Sequence, residues 1–317
     1  MNPAPLSIII VNWNSGALLT QCLRSVAQHH ESHVHRVIVV DNASSDSSLD
    51  IPELPELPFL EVVRNSENVG FGRACNTGAA RCDSEFLLFL NPDAELRPGV
   101  LRGLLAFLAD PQARTVGIVG PLLRDTRGQV ARCCARFPQP WHYLVRAIGL
   151  ESIVPAAAKH LSDFDHMTTR EVDHVMGCFL LMRSTAFRSL SGFDQRFFVY
   201  LEDLDLSLRA KRAGWSSWYV GSTEAYHLGG GTTRAILDRR LFYSLRSRLQ
   251  YSHKHFGILG RSVVIIATLG IEPFSRCAQA IVRGSWRDLK GVIGGVTLLY
   301  GWCAGRILSA STAIDNS

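Results

Sequence analysis

Among the 317 residues there are eight cysteines, and no two of them form a C-x-x-C pair. Apart from Cys133-Cys134 they stand singly, without metal-ligand spacing. A disulfide framework is therefore excluded, and buried thiols of a reducing compartment are expected. Charge is scarce as well: 19% of residues are charged, against 47% hydrophobic. A disordered chain would show more charge and fewer apolar residues. Glycine (26) and proline (13) follow no period, which excludes collagen-like and low-complexity architectures. No apolar run reaches the roughly 18 residues of a transmembrane helix. The nearest, Gly291–Gly305, lies between Lys290 and Arg306. The first residues carry no basic segment, and the run Ile8–Val11 stops at Asn12. No export signal is expected, and the expected location is cytoplasmic.

The length suits about two domains' worth of chain, or one large α/β domain with an appendage. Charge is unevenly placed along it. Residues 1–233 hold 21 basic and 24 acidic side chains, whereas residues 234–306 hold 12 basic and 3 acidic. The overall net charge of +5 hides a slightly acidic front and a strongly basic back, and the back is the part expected to face something anionic.

Two short Ile- and Val-rich runs, Ser7–Val11 and Arg36–Val40, flank a helix-like stretch of about 20 residues, the spacing of a parallel βαβ unit. Glu61–Arg64, Phe86–Leu90 and Val116–Val119 read as further strands. Gly72–Arg81 and Pro98–Ala109 have helical spacing. Phe137–Val172 has no period and reads as a variable insertion with one short helix. Val175–Met182 reads as a single apolar strand, followed by a helix near Ser184. Polar residues cluster at the ends of three strands: Asn12 and Asn14, Asp41 and Asn42, Asn91 and Asp93. In open α/β sheets ligands bind at the carboxyl ends of strands. Turn chemistry explains any one of these residues; coincidence at three strands nominates that edge as a site.

The first βα turn, Val11-Asn12-Trp13-Asn14-Ser15-Gly16, lacks the G-x-G-x-x-G of dinucleotide enzymes. An aromatic face with amides suits a nucleobase, and a core tryptophan beside a turn is the other reading. Gly70, Gly72 and Arg73 open a helix whose N-terminus favours an anion, although an ordinary glycine-containing turn fits the same residues. Asn91-Pro92-Asp93 ends the most apolar strand, and its carboxylate suits a divalent cation bridging a diphosphate; alone it is also a common turn. Glu202, Asp203 and Asp205 crowd the first turn of a helix behind the aromatic Phe197-Phe198-Val199-Tyr200. Capping and an Asp205–Arg209 pair account for one or two of these acids, and a general base accounts for Asp203 or Glu202. His227, before the glycine-rich Leu228–Thr233, reads as a structural histidine or as a metal ligand beside a mobile lid.

Taken in order, Ile8–Asn14, Val39–Asp46, Asn68–Gly72, Asn91–Asp93 and the Glu202-Asp203-x-Asp205 helix resemble the family 2 inverting glycosyltransferases of GT-A fold, and within them the rhamnosyltransferase-like branch. The resemblance spans about Leu6–Thr233. It implies a Rossmann-like, mostly parallel sheet flanked by helices over residues 1–233, with a nucleotide-sugar half (1–120) and an acceptor half (121–233). Residues 234–317 would form a helical basic extension. It further implies that Val11, Trp13 and Asn14 border the base, that Asp41 and Asn42 belong to the nucleotide site, and that Gly70, Arg73 and Asn76 lie beside the ribose and diphosphate. Asp93 would hold Mg²⁺ or Mn²⁺ with His227, Asp203 would be the catalytic base and Glu202 its neighbour. Asn91 stands where the stricter motif has a first Asp, which leaves one carboxylate fewer for the metal.

The implied donor is a nucleoside-diphosphate sugar, dTDP-rhamnose or a UDP-sugar, and the implied acceptor is a saccharide or a lipid-linked sugar in surface polysaccharide assembly. The basic back half alternates Arg and Lys with the apolar runs Ser262–Ile271 and Gly291–Gly305. That pattern suits helices in an anionic membrane interface on the cytoplasmic face of the inner membrane, or helices packed with solvated charges. It lacks a nucleic-acid-binding motif. A homo-oligomer is compatible with the sequence. Two other classes stand beside the transferase: a sugar-phosphate nucleotidyltransferase, disfavoured because Asn12–Gly16 lacks Arg and Lys, and a catalytically silent sugar-binding protein docked on a membrane.

Overall fold

The computed structural model describes residues 5–50, 57, 60–151, 153–154, 157, 161, 164–229 and 236–315, with the backbone alone at 307–315. The glycine-rich stretch after Gly229, read above as a lid, and the 233/234 boundary lie outside the described residues.

In chain order the elements are β1 (Leu6–Asn12), α1 (Ala17–His29), β2 (Val34–Asp41), β3 (Leu60–Arg64), α2 (Phe71–Ala79), β4 (Phe86–Leu90), β5 (Ala94–Leu96), α3 (Val100–Ala109), β6 (Val116–Arg124), β7 (Cys134–Ala135) and α4 (Pro140–Ala147). There follow β8 (Arg170–Val172), β9 (His174–Val175), β10 (Phe179–Arg183), α5 (Ser184–Ser189), α6 (Glu202–Arg212), β11 (Ser216–His227), α7 (Leu237–His255), α8 (Ile258–Ile265), α9 (Glu272–Val282) and α10 (Trp286–Asp315). The chain divides into two units: residues 1–137, 159–198 and 202–232, and residues 138–158, 199–201 and 233–317.

The first unit is built on a nine-stranded sheet in the order β3-β2-β1-β4-β10-β6-β11-β5, with β8 paired to β11. Pairing is parallel from β3 through β4, as the βαβ spacing predicts. Beyond it the sheet is mixed, because β10 runs antiparallel to both β4 and β6. Strands β1 and β4 are buried along their whole lengths, which is why they read as unbroken Ile, Leu and Phe runs rather than as alternating patterns. Each fully buried side chain of this kind contributes about 1.5–3 kcal/mol. Parallel register sets Asn12 opposite Asp41, so the carboxyl ends of β1 and β2 share one edge with that of β4.

The Val175–Met182 run is not one strand. It breaks at Met176–Cys178: β9 pairs with β7 in a small two-stranded sheet, and β10 enters the main sheet. Periodicity could not reveal the break, because both halves are apolar and buried.

The second unit is helical. Its core gathers Tyr143, Ala147, Val264 and Ala267, with Leu144, Phe256 and Ile271 packed against them. Helices α8 and α9 join through a π-helical segment, Ile266–Ile271. The expectation that no run is long enough to cross a membrane is revised here. Ile258–Val282 is a continuous helix of 25 residues in which an 18-residue window reaches a mean hydropathy of 1.4, long and apolar enough to cross a membrane by length and composition alone. A search that stops at every charge misses it, because Glu272 lies within it. That carboxylate is buried and ion-paired with Arg248 and Arg276.

Candidate active site

The loops after β1 and β2 are knitted by side chains. Asn12, fully buried, donates from Nδ2 to Asp41 Oδ1 at 2.8 Å and to the Ser48 hydroxyl at 2.8 Å. Asp41 also accepts from the Ser44 hydroxyl at 2.6 Å and the Ser44 backbone N–H at 3.1 Å. Three of its roughly four acceptor directions are thereby used, which leaves one on Oδ2. Asn14 takes a positive φ of 49° and accepts from the Ser45 N–H at 2.7 Å. Asn42 donates to the Gly70 carbonyl at 3.2 Å, tying this edge to the next loop. Val11 is buried and Trp13 half-buried beside them.

Gly70 is required by its surroundings. Its φ is +89°, and a Cβ there would sit 2.3 Å from the Phe198 carbonyl oxygen. That same oxygen accepts from the Phe71 N–H at 2.7 Å, at the start of α2. Arg73, in the first turn of the helix, is exposed. Asn76 is engaged elsewhere: it donates to the Phe193 carbonyl at 2.8 Å and accepts from the Phe193 N–H at 2.9 Å. It braces the aromatic segment, and both of its amide groups are used in doing so.

At the end of β4, Asp93 is 8% exposed. The antiparallel pairing of β5 with β11 sets His227 opposite Ala94, so two residues distant in sequence meet. His227 Nε2 lies 3.3 Å from Asp93 Oδ1 and is buried without an aligned hydrogen bond among the described residues. Burial opposes charge on this imidazole, but Cys178 and the Asp93 carboxylate outweigh it and raise its pKa above the usual value. A carboxylate oxygen and a buried imidazole nitrogen so close fit a divalent cation such as Mg²⁺ or Mn²⁺ that takes further oxygens from a ligand.

The helix α6 begins with the acids. Asp203 Oδ2 accepts from the Gly177 N–H at 2.8 Å and lies 3.5 Å from His174 Nε2; Oδ1 accepts from the Leu204 N–H at 2.8 Å. His174 Nδ1 is in turn 3.1 Å from the Ser207 hydroxyl. Glu202 takes a different part. It is 5% exposed, its Oε2 has no hydrogen-bond partner among the described residues, and burial, followed by the Asp203 charge, raises its pKa well above the usual carboxylate range. Asp205 is fully buried and paired with Arg209 at 2.7 Å, while Arg209 also donates to the Leu190 and Gly192 carbonyls. Of the three acids, Asp203 is the one left partly open to solvent.

The residues that join the two halves of the site were not singled out from the sequence. They are the turn Met176–Cys178. Gly177 holds Asp203 through its N–H, and the Cys178 carbonyl, one residue on, accepts from the Asn91 N–H at 2.9 Å. The break in the strand is thus what brings the α6 carboxylate and the Asn91-Pro92-Asp93 turn to one place. A glycine between apolar runs was the available signal, and a Cβ there would lie 2.9 Å from Asp203 Oδ2.

Comparison with known proteins gives a consistent answer. The family model described as glycosyl transferase family 2 matches residues 7–190. An N-acetylglucosaminyl-diphospho-decaprenol L-rhamnosyltransferase of Mycobacterium tuberculosis is 30% identical over 241 residues, 70% of this chain and 75% of that protein. Rhamnosyltransferase WbbL of Escherichia coli K12 is 27% identical over 253 residues, 77% of this chain and 91% of that one. Among solved structures, a mannosyltransferase of Pyrobaculum calidifontis, in complex with GDP-Man and Mn²⁺, superposes with a TM-score of 0.53 at 16% identity, over 100% of this chain and 82% of its own.

Proposed function

This chain belongs to glycosyltransferase family 2 and has the GT-A fold, and on that premise we propose that it transfers L-rhamnose or a hexose, with inversion, from a nucleoside-diphosphate sugar to a hydroxyl of a saccharide or lipid-linked acceptor. The observation that carries the reading is the Gly177–Cys178 turn. It fixes a partly open carboxylate, Asp203, beside the strand end that bears Asp93.

Asp203 is the general base: Oδ2, oriented by the Gly177 N–H, removes the acceptor proton as that oxygen attacks the anomeric carbon. The nucleoside diphosphate leaves from the opposite face, so the configuration inverts. Trp13 and Asn14, with the remaining acceptor direction on Asp41, border the nucleobase. Arg73, exposed at the start of α2, faces the diphosphate. Asp93 and His227 hold a divalent cation, Mg²⁺ or Mn²⁺, whose contribution when bound is to neutralise charge on the leaving diphosphate. Burial, followed by the Asp203 charge, raises the Glu202 pKa and so disfavours a second negative charge beside the base.

The second unit supports a location at a membrane surface. Ile258, Leu259, Phe274, Val282 and Trp286 are exposed, the last at 75%, among Arg283, Arg287 and Lys290. Large apolar side chains interleaved with exposed cations favour an anionic membrane surface, where a lipid-linked acceptor is found. The relative from Mycobacterium tuberculosis carries a polyprenol-linked acceptor in its name, which supports the same class here.

The test is release of nucleoside diphosphate from a panel containing dTDP-rhamnose and UDP-sugars, with Mg²⁺ or Mn²⁺ and a polyprenyl-diphosphate-linked sugar as acceptor. Turnover with one donor, lost in Asp203→Asn, is the expected result. No release with any donor, together with no thermal stabilisation by any nucleoside diphosphate and Mn²⁺, overturns the reading. Cosedimentation of the full chain with anionic vesicles and not with neutral ones, weakened by salt, tests the membrane half.

A further inference from the structure

Within the first unit a second set of ligating side chains converges, none of which the transfer reaction uses. Cys133 (4% exposed), Cys134 (0%) and His166 (1%) each offer one ligand atom, and these atoms lie within 4.8 Å of one another. Adjacent residues of a strand point to opposite faces. Cys133 lies just outside β7, which lets both sulfurs reach one cluster.

His166 enters from the segment before β8 with a φ of +59°, uncommon outside glycine. Its Nδ1 is 2.9 Å from the Phe164 carbonyl oxygen, which can only accept, so Nδ1 carries the proton and Nε2 the lone pair. Nε2 is buried and has no hydrogen-bond partner among the described residues. The ring is walled by Phe164 at 4.4 Å and Tyr219 at 5.6 Å between centroids, and the Tyr219 hydroxyl donates to the His166 carbonyl at 2.5 Å. A buried structural histidine satisfies both nitrogens. One nitrogen on a backbone carbonyl and the other left over is how a metal-ligating histidine is oriented.

We propose that Cys133, Cys134 and His166 bind a thiophilic divalent cation, with Zn²⁺ as the natural occupant. Two sulfurs and an imidazole form a soft donor set of tetrahedral preference, unlike the oxygen-rich surroundings that suit Mg²⁺ and Mn²⁺. With Zn–S near 2.3 Å and Zn–N near 2.0 Å, tetrahedral ligand atoms stand roughly 3.5–3.8 Å apart, so the cluster closes by at most about 1 Å. Binding releases both thiol protons to solvent. Two thiolates then balance the cation, and water fills the fourth position. The neutral result suits so buried a place. It also bears on the reaction: the Cys133 carbonyl accepts from the Met176 N–H at 2.8 Å, and Cys134 pairs with Val175. The cation would clamp the strand that leads into Gly177.

Cobalt gives a readout independent of transferase activity. The full-length chain, purified with chelator, is titrated with Co²⁺ and then with Zn²⁺. One equivalent of Co²⁺ is expected to give thiolate-to-cobalt charge-transfer absorption, abolished by one equivalent of Zn²⁺. Cys133→Ser and Cys134→Ser should lose the band, and His227→Ala should keep it, which separates this site from the Asp93–His227 pair. If a serine variant does not fold, the wild-type titration decides alone. Absence of the band in folded wild type, its persistence in both serine variants, or an intact mass short of two hydrogens (a Cys133–Cys134 disulfide) overturns the proposal.

Discussion

Replacing Gly177 by alanine tests the placement of the base without touching its chemistry. The added Cβ would stand 2.9 Å from Asp203 Oδ2, 3.0 Å from its Cβ and 3.3 Å from its Cγ. Ordinary van der Waals contact begins near 3.4 Å, so the carboxylate must retreat by about half an ångström. Its 2.8 Å hydrogen bond from the Gly177 N–H lengthens by a similar amount. Gly177 has no positive φ, so alanine adds crowding and no backbone strain. Misplacing a catalytic group by 1 Å costs on the order of 10²-fold, and half that shift costs about tenfold. Overpacking adds a stability loss of about 1–3 kcal/mol.

The assay is initial-rate release of nucleoside diphosphate, with kcat and KM read separately and Tm measured alongside. Gly177→Ala should lower kcat about tenfold and leave the donor KM near the wild-type value. Asp203→Asn should lower kcat by about 10²–10⁴-fold with only a modest fall in Tm, since its side-chain carbonyl can still accept from the Gly177 N–H while the acceptor for the Leu204 N–H is lost. In the Asp203→Asn background, Gly177→Ala should have no further effect on kcat, because the two act as one unit. A full tenfold loss in that background would show that Gly177 acts by another route and would refute the reasoning.

Three further outcomes follow from named contacts. Glu202 has a raised pKa in the folded chain, so its share of stability is complete below the unfolded value, near 4.5, and falls as pH rises toward the folded one; Glu202→Gln should flatten the decline in Tm on the alkaline side and gain most above pH 7. His227→Ala removes a nitrogen 3.3 Å from Asp93 and should abolish the extra thermal stabilisation that Mn²⁺ gives with a nucleoside diphosphate, while stabilisation by the nucleotide alone persists. In the second unit Arg248→Met leaves Glu272 buried with Arg276 as its remaining cation and should destabilise by about 3–5 kcal/mol in denaturant melts. Because Arg248 and Arg276 hold the Glu272 pKa down against burial, that stability is present above pH 4.5 and lost as pH falls through the folded value, so the variant and wild type should converge in acid.

What could be read ahead of the structure was whatever local composition encodes. Phe86–Leu90 is a strand to the residue because a run buried on both faces has one solution. Asn12 and Asp41 end neighbouring strands because parallel register places them there. Long-range pairing left no such trace. His227 meets Asp93 through the β5·β11 register, and β5 is three residues long, too short for any periodic signal. Asn76, which the family resemblance alone puts beside the ribose and diphosphate, has its side-chain hydrogen bonds on a backbone segment over a hundred residues later. The turn at Gly177 is the instructive case. In a strand a glycine costs packing, so its presence inside an apolar run implies that something must come close. Here that something is the Asp203 carboxylate, and the same turn ends the strand that Cys133 and Cys134 support. Apolar pattern alone assigns the run to the core. The glycine within it is what marks the core strand as the floor of the site.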